Sequence, residues 1–146
     1  AYSQHTDRAL LSTADFILTK YKPEKVISGM ALGWDIAVAQ CAINCGVGLI
    51  AAIPFESQAS RWPQTSQTRY RRLLNKADQI EVISSGDYSS EAMQLRNQWI
   101  VNHCDRLMAL WHSKKGRTKN CVDYALAINR PTFNCWATFR YFYHQF

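Results

Sequence analysis

The sequence lacks any apolar run long enough to cross a membrane. No uninterrupted apolar stretch approaches the roughly 18 residues that a spanning helix requires. No charged stub followed by an apolar core precedes residue 10, so we expect no secretory leader. The chain begins at Ala1 rather than methionine, and we therefore allow for a trimmed segment ahead of it. These absences argue against a membrane protein and favour a soluble protein of the cytoplasm.

Paired cysteine spacing is also missing. The five cysteines are an odd number and contain no CxxC pair, which argues against a zinc site or a disulfide framework and fits a reducing compartment. Cys41 and Cys45 lie four residues apart, a spacing that permits metal binding on a helix, but no histidine or further cysteine lies near them. We interpret them as small buried apolar residues and expect no metal. The cysteines are Cys41, Cys45, Cys104, Cys121 and Cys135.

Acidic residues are outnumbered by basic ones, 11 against 17, which gives a formal net charge of +6. Clustered positive charge attracts nucleic acid, a membrane face or a small polyanion, and the plainer alternative is a solvated helix face. Two segments hold much of the excess: Arg61, Arg69, Arg71, Arg72 and Lys76, and then Lys114, Lys115, Arg117 and Lys119. The second segment includes a glycine turn, which favours a phosphate partner.

Short apolar segments alternate with helical patterns along the chain. This alternation predicts βαβ units and a parallel sheet, and 146 residues are enough for one domain with a three-layer core. We therefore expect a single α/β domain over residues 1–146. Strands are predicted at residues 26–28, 48–53, 80–83, 106–111 and 131–135, and helices at residues 6–21, 33–45, 66–76, 89–103 and 121–128.

The first strand leads into a glycine turn and then a helix. Gly29 and Gly33 lack a Cβ where the backbone must turn tightly or approach a ligand, and Asp35 can cap the helix. Together with Ser28, the turn leaves the first helix amides available to an anion. The alternative is a plain tight turn.

A second loop follows the strand at residues 48–53 and combines aromatic with basic residues. It contains Pro54, Phe55, Arg61 and Trp62. Ligands of open α/β sheets bind at this end of the strands, where an aromatic ring can stack on a base. The alternative is that Phe55 and Trp62 anchor the loop on the core.

A third candidate segment follows Trp111, at the end of the fourth strand. Gly116, Arg117, Thr118 and Asn120 lie at the start of the next helix, where backbone amides and a threonine hydroxyl can hold phosphate.

These segments together resemble the SLOG superfamily, which contains the DNA-processing protein DprA and the LONELY GUY phosphoribohydrolases. The first turn matches S-G-x-x-x-G-x-D, the second loop PFE-x-Q-x-x-RWP, and the last helix N-C-V-x-Y-A. The closest resemblance is to the small YpsA-like branch of bacteria and phages. That branch opens with a strand and a Gly-His-Arg-Pro turn that this sequence does not contain.

The resemblance implies a three-layer Rossmann-like fold with a mainly parallel sheet, and it implies that a nucleotide or nucleotide-derived molecule binds at the two glycine turns. The protein would then act as a sensor, carrier or scavenger of that molecule. The resemblance identifies no cofactor other than this ligand. Met93 to Asn97 resembles the M-x-x-R-K helix of LONELY GUY proteins, in which the arginine faces the nucleotide. That role passes to Arg96, which would otherwise be interpreted as a surface charge.

Two other functions remain open. LONELY GUY proteins cleave N-glycosidic bonds with the help of a glutamate, and this chain has Cys121 at that position. Similar hydrolysis of a glycosidic or a phosphate-ester bond would therefore need another acid. Asp35 and Asp123 are the candidates. Single-stranded DNA binding, as in DprA, is supported by the first basic segment, but no long alternation of basic and aromatic residues accompanies it.

The segment 136–146 lies outside the resemblance and has six aromatic residues in eleven. We expect it to pack on the body of the domain, with a self-association surface as the alternative. A homo-oligomer is also expected, with Trp99, this tail and the basic cluster as interface material and the ligand near the subunit boundary.

Overall fold

Five strands alternate with six helices in the computed structural model, which describes residues 3–145. The helices are α1 (Gln4–Tyr21), α2 (Trp34–Cys45), α3 (Gln64–Lys76), α4 (Ser90–His103), α5 (Arg117–Ala127) and α6 (Trp136–Tyr143). The strands are β1 (Lys25–Ser28), β2 (Gly48–Ile53), β3 (Gln79–Val82), β4 (Leu107–Ala109) and β5 (Thr132–Asn134). No described helix is long and apolar enough to cross a membrane.

All strand pairs are parallel, as the sequence predicts. β2 lies between β1 and β3, with Lys25 opposite Gly48 and Ile50 opposite Gln79. β4 pairs with β5 in a separate sheet, with Leu107 opposite Thr132. The predicted sheet is therefore divided into two parts, and the division falls between β1 and β4.

Helices cover both faces of the larger sheet. Ile36 of α2 and Leu73 of α3 pack on Leu49 of β2, while α4 also contacts β2. The described cluster around Leu49 contains no residue of α4, and successive side chains of a strand point to opposite faces, so α4 lies against the other side. Val101 of α4 and Val122 of α5 pack together beside β4. The result is the three-layer Rossmann-like arrangement that was predicted.

β4 is shorter than the predicted strand, which extended to residue 111. The Trp111 amide donates to the Asn134 side-chain oxygen at 3.2 Å, and the Asn134 amide nitrogen donates back to the Trp111 carbonyl at 2.8 Å. A side chain therefore replaces the strand ladder at this position.

The aromatic tail forms α6, a helix that the sequence analysis did not predict. Phe139 is buried against α1 and α2, and Phe142 lies 6.2 Å from the Phe16 ring, measured between ring centres. His5 contacts Tyr143 at the far end of α6, while Tyr141 remains 61% exposed. The last tail residue, Phe146, lies outside the described residues.

Candidate functional site

A cavity of about 1160 Å³ lies between β1 and β4 and extends to the turns that follow both strands. It brings together the two glycine turns that were expected to hold one ligand, because residues of both turns contribute to its lining. The predicted site residues that line it are Ser28, Gly29, Asp35, Arg96, Arg117 and Thr118.

Ser28 fixes the shape of the first turn. Its hydroxyl accepts a hydrogen bond from the Met30 amide at 3.1 Å and donates to the Asp35 carbonyl oxygen at 2.8 Å. Met30 is fully buried and has a φ of 60°, a left-handed conformation that is uncommon for a residue with a side chain. Strained backbone of this kind persists where the surrounding structure holds it, often beside a ligand.

Asp35 does not cap α2, so the predicted capping role is wrong. The N-cap position belongs to Gly33, whose φ of 96° has no side-chain cap bond, and Asp35 already lies within the helix. Its carboxylate instead accepts from the Ala31 amide at 3.3 Å. Burial raises the pKa of the Asp35 carboxyl, and the Arg96 charge and the Ala31 amide only partly oppose that effect.

Arg96 lies almost completely inside the protein, with 3% of its surface exposed. Its Nη1 donates to the Gly29 carbonyl oxygen at 2.5 Å and to the Gln58 side-chain oxygen at 3.4 Å, while Nε donates to Asn97 at 2.8 Å. Among the described residues no acceptor contacts Nη2 and no carboxylate lies within ion-pair distance. Burial lowers the pKa of Arg96, and Asp35 is the main opposing influence. An anion in the cavity would therefore find a desolvated cation.

The second turn places the start of α5 at the same cavity. Gly116 precedes α5 with a φ of 141°, and Arg117 and Thr118 line the cavity. The Arg117 guanidinium donates to the Tyr88 hydroxyl and lies 5.6 Å from the centre of its ring. Cys121, one turn further along, also lines the cavity, and burial raises the pKa of its thiol to about 11. That thiol is neutral at physiological pH.

The four candidate residues of the second predicted loop do not line this cavity. Pro54 and Phe55 are buried, and the Trp62 ring packs edge-on against Tyr70 at 5.1 Å. Arg61 is exposed outside the cavity lining. This packing favours the alternative in which Phe55 and Trp62 anchor the loop, and their ligand role stays a prediction.

Four more candidates lie beside the cavity or away from it. The Trp111 indole donates to the Lys114 carbonyl at 3.0 Å and thereby holds the second turn. Asn120 lines a separate cavity of about 50 Å³ next to Arg117. Gly33 and Gly116 shape the two turns without lining the cavity themselves.

Asp123, the second proposed catalytic acid, lies outside the cavity. It is exposed on α5 and pairs with Lys119 at 2.6 Å. That position argues against a catalytic role, because a general acid must come within hydrogen-bond reach of the reacting group.

Two residues that help to build the site were not among those predicted from the sequence. The Gln58 side-chain nitrogen donates to the Gly29 carbonyl at 3.3 Å, while its oxygen accepts from Arg96. Gln58 stands in the PFE-x-Q motif, which was the available signal. Tyr88 contacts Arg117 and packs edge-on against Phe55, and nothing in the local sequence pattern pointed to it.

Metal-binding side chains do not converge within residues 3–145. No group of three His, Cys, Asp or Glu residues there could hold an ion, and all five cysteines are free thiols. At the end of the cavity formed by the two turns, the polar side chains instead include Arg96, Arg117 and Thr118 and one carboxyl group of raised pKa, Asp35. This set suits an oxyanion.

Comparison with known proteins gives three kinds of match. A sequence model of the YspA SLOG family matches residues 17–136. The SPbeta prophage-derived protein YoqJ of Bacillus subtilis is 30% identical over 132 residues, which cover 80% of this chain and 77% of that protein. A UPF0398 protein of Bacillus cereus is 29% identical over 107 residues, covering 68% of this chain and 58% of its relative.

Among solved structures, DNA processing protein A (DprA) from Streptococcus pneumoniae superposes with a TM-score of 0.66. The sequences are 18% identical, and the match covers 92% of this chain and 46% of the DprA chain. This likeness concerns the fold. The chain therefore spans about half of its structural neighbour and somewhat more of the UPF0398 relative.

Proposed function

This chain belongs to the YspA SLOG family, as its resemblance to SLOG proteins predicted, and from that premise we propose that it binds a nucleotide or nucleotide-derived small molecule. The phosphate would lie between the starts of α2 and α5, against Arg96. The protein would act as a sensor, carrier or scavenger of that molecule.

One observation carries the proposal: a buried guanidinium faces a cavity and has no carboxylate at ion-pair distance among the described residues. Removing a charge from water costs several kcal/mol in real proteins unless another charge compensates it. A phosphate bound at Nη2 would provide that compensation through a charge-assisted hydrogen bond. The starts of α2 and α5 add partial positive charge on either side.

The rest of the cavity favours an organic phosphate over inorganic phosphate. Apolar side chains of Trp34, Met93 and Ile100 line the space next to the polar end. Cavities of several hundred Å³ with apolar walls and a few polar groups are typical small-molecule sites. The Tyr88 ring, 60% exposed and beside Arg117, lies where a base could stack.

Hydrolysis of a nucleotide is the alternative, and Asp35 favours it. A buried carboxyl group whose pKa is raised is a candidate general acid, because it gives up its proton less readily than an ordinary carboxyl group and can pass it to a leaving group. Prolonged incubation of the protein with each bound nucleotide, followed by chromatography, separates the two functions. If free base or phosphate is released, and Asp35→Asn abolishes that release, the protein is a hydrolase and the proposal of binding alone is wrong.

DNA binding is a further alternative, since the structural neighbour is named for DNA processing. Arg71 and Arg72 are exposed on α3, outside the cavity lining. Binding there would fall steeply with added salt and would not respond to mononucleotides. Binding in the cavity would show the opposite behaviour.

The decisive experiment is to extract the purified protein with acid and to identify co-purified nucleotides by mass spectrometry. Calorimetry with each compound and with its dephosphorylated counterpart then measures how much the phosphate contributes to the binding free energy. We expect binding of the phosphorylated form to be at least about tenfold tighter. Equal affinity for both forms would remove the basis of the proposal.

A further inference from the structure

Asp35 and Arg96 approach each other beside Gly29 without forming an ion pair. A Cβ added to Gly29 would lie 2.8 Å from Asp35 Oδ2 and 2.7 Å from Arg96 Nη1, so these two atoms are separated by no more than the sum of those distances. No ion pair joins them within residues 3–145. A narrow gap therefore separates the carboxylate from the guanidinium, and all three residues line the cavity into which it opens.

The two side chains leave complementary hydrogen-bonding groups at this gap. Arg96 Nη2 contacts no acceptor in the described part of the chain, and the second contact of Nη1, to the Gln58 side-chain oxygen, is long at 3.4 Å. Asp35 Oδ2 accepts only from the Ala31 amide, at 3.3 Å, and no described residue donates to Oδ1. The guanidinium therefore still offers donors, and the carboxylate still offers acceptors.

Both groups are held in place by the protein itself. Arg96 is 3% exposed, its Nη1 donates to the Gly29 carbonyl oxygen at 2.5 Å, and its Nε donates to Asn97 at 2.8 Å. Asp35 lies in the first turn of α2, where its backbone carbonyl accepts from the Ser28 hydroxyl at 2.8 Å. Groups that are already ordered lose little freedom on binding, so this pair can discriminate between ligand atoms.

The ligand atom that fits between the two groups must both donate and accept. A phosphate oxygen accepts from Arg96 but has no hydrogen for an ionised Asp35, whereas an ammonium group donates to Asp35 but is repelled by Arg96. A hydroxyl oxygen accepts from a guanidinium over about 2.9 Å and donates to a carboxylate over about 2.7 Å, which is enough to span the gap. A protonated Asp35 keeps one accepting oxygen, so a hydroxyl suits both of its protonation states.

We infer that Asp35 is a specificity-determining residue, which together with Arg96 binds a sugar hydroxyl of the ligand and selects hydroxyl-bearing sugar phosphates over their deoxy analogues. The inference rests on the proposed function, since that function assigns the phosphate to Arg96 Nη2 and the helix starts. Phosphate and hydroxyl then contact one guanidinium, an arrangement that a single sugar phosphate can provide. The hydroxyl also separates the phosphate from the Asp35 carboxylate, which would otherwise repel it.

The test compares two probes that differ only in their hydroxyl groups. The first, 1,4-anhydroribitol 5-phosphate, carries both ring hydroxyls of ribose, and the second, tetrahydrofurfuryl phosphate, is the same ring phosphate without them. Neither probe has a base, so the result does not depend on which nucleotide the protein takes. Titration of each probe into the full chain, followed through the amide NMR signals of Gly29 and Thr118, measures both affinities.

We expect the hydroxyl-bearing probe to bind the parent protein about tenfold more tightly, as a hydrogen bond to a charged group implies. Asp35→Ala should abolish this preference, while tetrahydrofurfuryl phosphate should bind that variant at least as tightly as it binds the parent, because a negative charge has been removed. Asp35→Asn, whose amide oxygen still accepts, should retain part of the preference. Asp123→Ala, on the exposed face of α5, is the matched control and should retain all of it.

Equal affinity of the parent for the two probes would overturn the inference and leave the proposed phosphate site in place. A full preference in Asp35→Ala, with folding verified by urea unfolding, would also overturn it. If Asp35→Ala does not fold, Asp35→Asn decides, because an undiminished preference in that variant contradicts the inference. If neither probe shifts an amide signal of the parent, the phosphate site is absent, and the proposed function fails together with the inference.

Discussion

Arg96 and Gly29 lie 67 residues apart in sequence, and Arg96 Nη1 donates to the Gly29 carbonyl oxygen at 2.5 Å. A Cβ on Gly29 would lie 2.7 Å from that same nitrogen and 2.8 Å from an Asp35 carboxylate oxygen. Real Cβ atoms essentially never approach so closely. A side chain at position 29 would therefore displace the ends of the Arg96 and Asp35 side chains, whether or not a ligand is bound.

Replacing Gly29 with alanine should displace the Arg96 guanidinium. Overpacking of a dense core costs about 1 to 3 kcal/mol, but here the displaced atoms are side-chain ends that line a cavity, so the free energy of unfolding should fall by about 1 kcal/mol. Affinity for a phosphorylated ligand should fall at least about tenfold, because Nη2 loses its position. Urea unfolding and calorimetry measure the two effects.

Gly46→Ala is the matched control for this variant. Gly46 ends α2 with a φ of 73°, and a Cβ there meets nothing within 4 Å. Alanine at this position strains the backbone and should lower stability by about 1 kcal/mol while ligand binding is retained. Equal losses of affinity in both variants would show that Gly29 does not act through Arg96.

Arg96→Ala should weaken binding of a phosphorylated ligand by about 1.5 to 3 kcal/mol, the range of a hydrogen bond to a charged group. The corresponding nucleoside should be affected much less, because it has no phosphate. Calorimetry on both ligands measures the difference, and Arg72→Ala on the exposed face of α3 is the charge-matched control. Equal losses for nucleotide and nucleoside would place Arg96 outside the phosphate site.

The sequence pattern predicted each strand and helix except α6, as well as the two glycine turns. These features depend on local periodicity and turn chemistry, which neighbouring residues determine. The burial of Arg96 could not be predicted from local patterns, because an arginine within a helix is usually a surface residue. Only the packing of α4 against other segments shows that this one is buried. Its burial depends on the Gly29 carbonyl and Gln58, which come from two other segments.

Local patterns also could not show whether Phe55 and Trp62 contact a ligand. An aromatic residue in a loop at the carboxyl end of a strand has the same local pattern whether it contacts a ligand or the core. The Tyr70 ring that packs against Trp62 comes from α3, so only long-range packing bears on the choice between the two roles. The division of the sheet between β1 and β4 could not be predicted either, because strand order depends on contacts between segments that are distant in the sequence.

Self-association is the third prediction. β3 is an edge strand whose Val82 is 43% exposed, and Leu95 on α4 is 52% exposed. Apolar side chains on a free edge favour pairing with another copy. We expect a homodimer or larger even-numbered oligomer, with a dimer mass of about twice the monomer's 16.8 kDa, at both low and high salt.

Light scattering during size exclusion measures that mass. Leu95→Lys should shift it toward the monomer, whereas Leu126→Lys, on the exposed face of α5, is the matched control. A monomer mass for the parent chain at every salt concentration, with and without nucleotide, would contradict the prediction.

The fourth prediction concerns the pH dependence of stability and Asp35. Burial raises the pKa of this carboxyl above its ordinary value of 3.8, so the folded protein binds the proton more tightly than the unfolded chain does. The contribution of Asp35 to stability is therefore greatest at low pH. It is lost as pH rises from about the ordinary value to the raised pKa, and does not change further above that.

Asp35→Asn removes this titration while its side-chain oxygen can still accept from the Ala31 amide. The stability of the variant relative to the parent should therefore increase as pH rises through the same window and then level off. Urea unfolding of both proteins between about pH 4 and pH 8 measures the difference. Asp123→Asn, which breaks the surface pair with Lys119, should change stability by less than about 1 kcal/mol throughout. A constant difference between Asp35→Asn and the parent would mean that Arg96 and the Ala31 amide fully offset the burial of Asp35, so that its carboxyl would have no raised pKa with which to act as an acid.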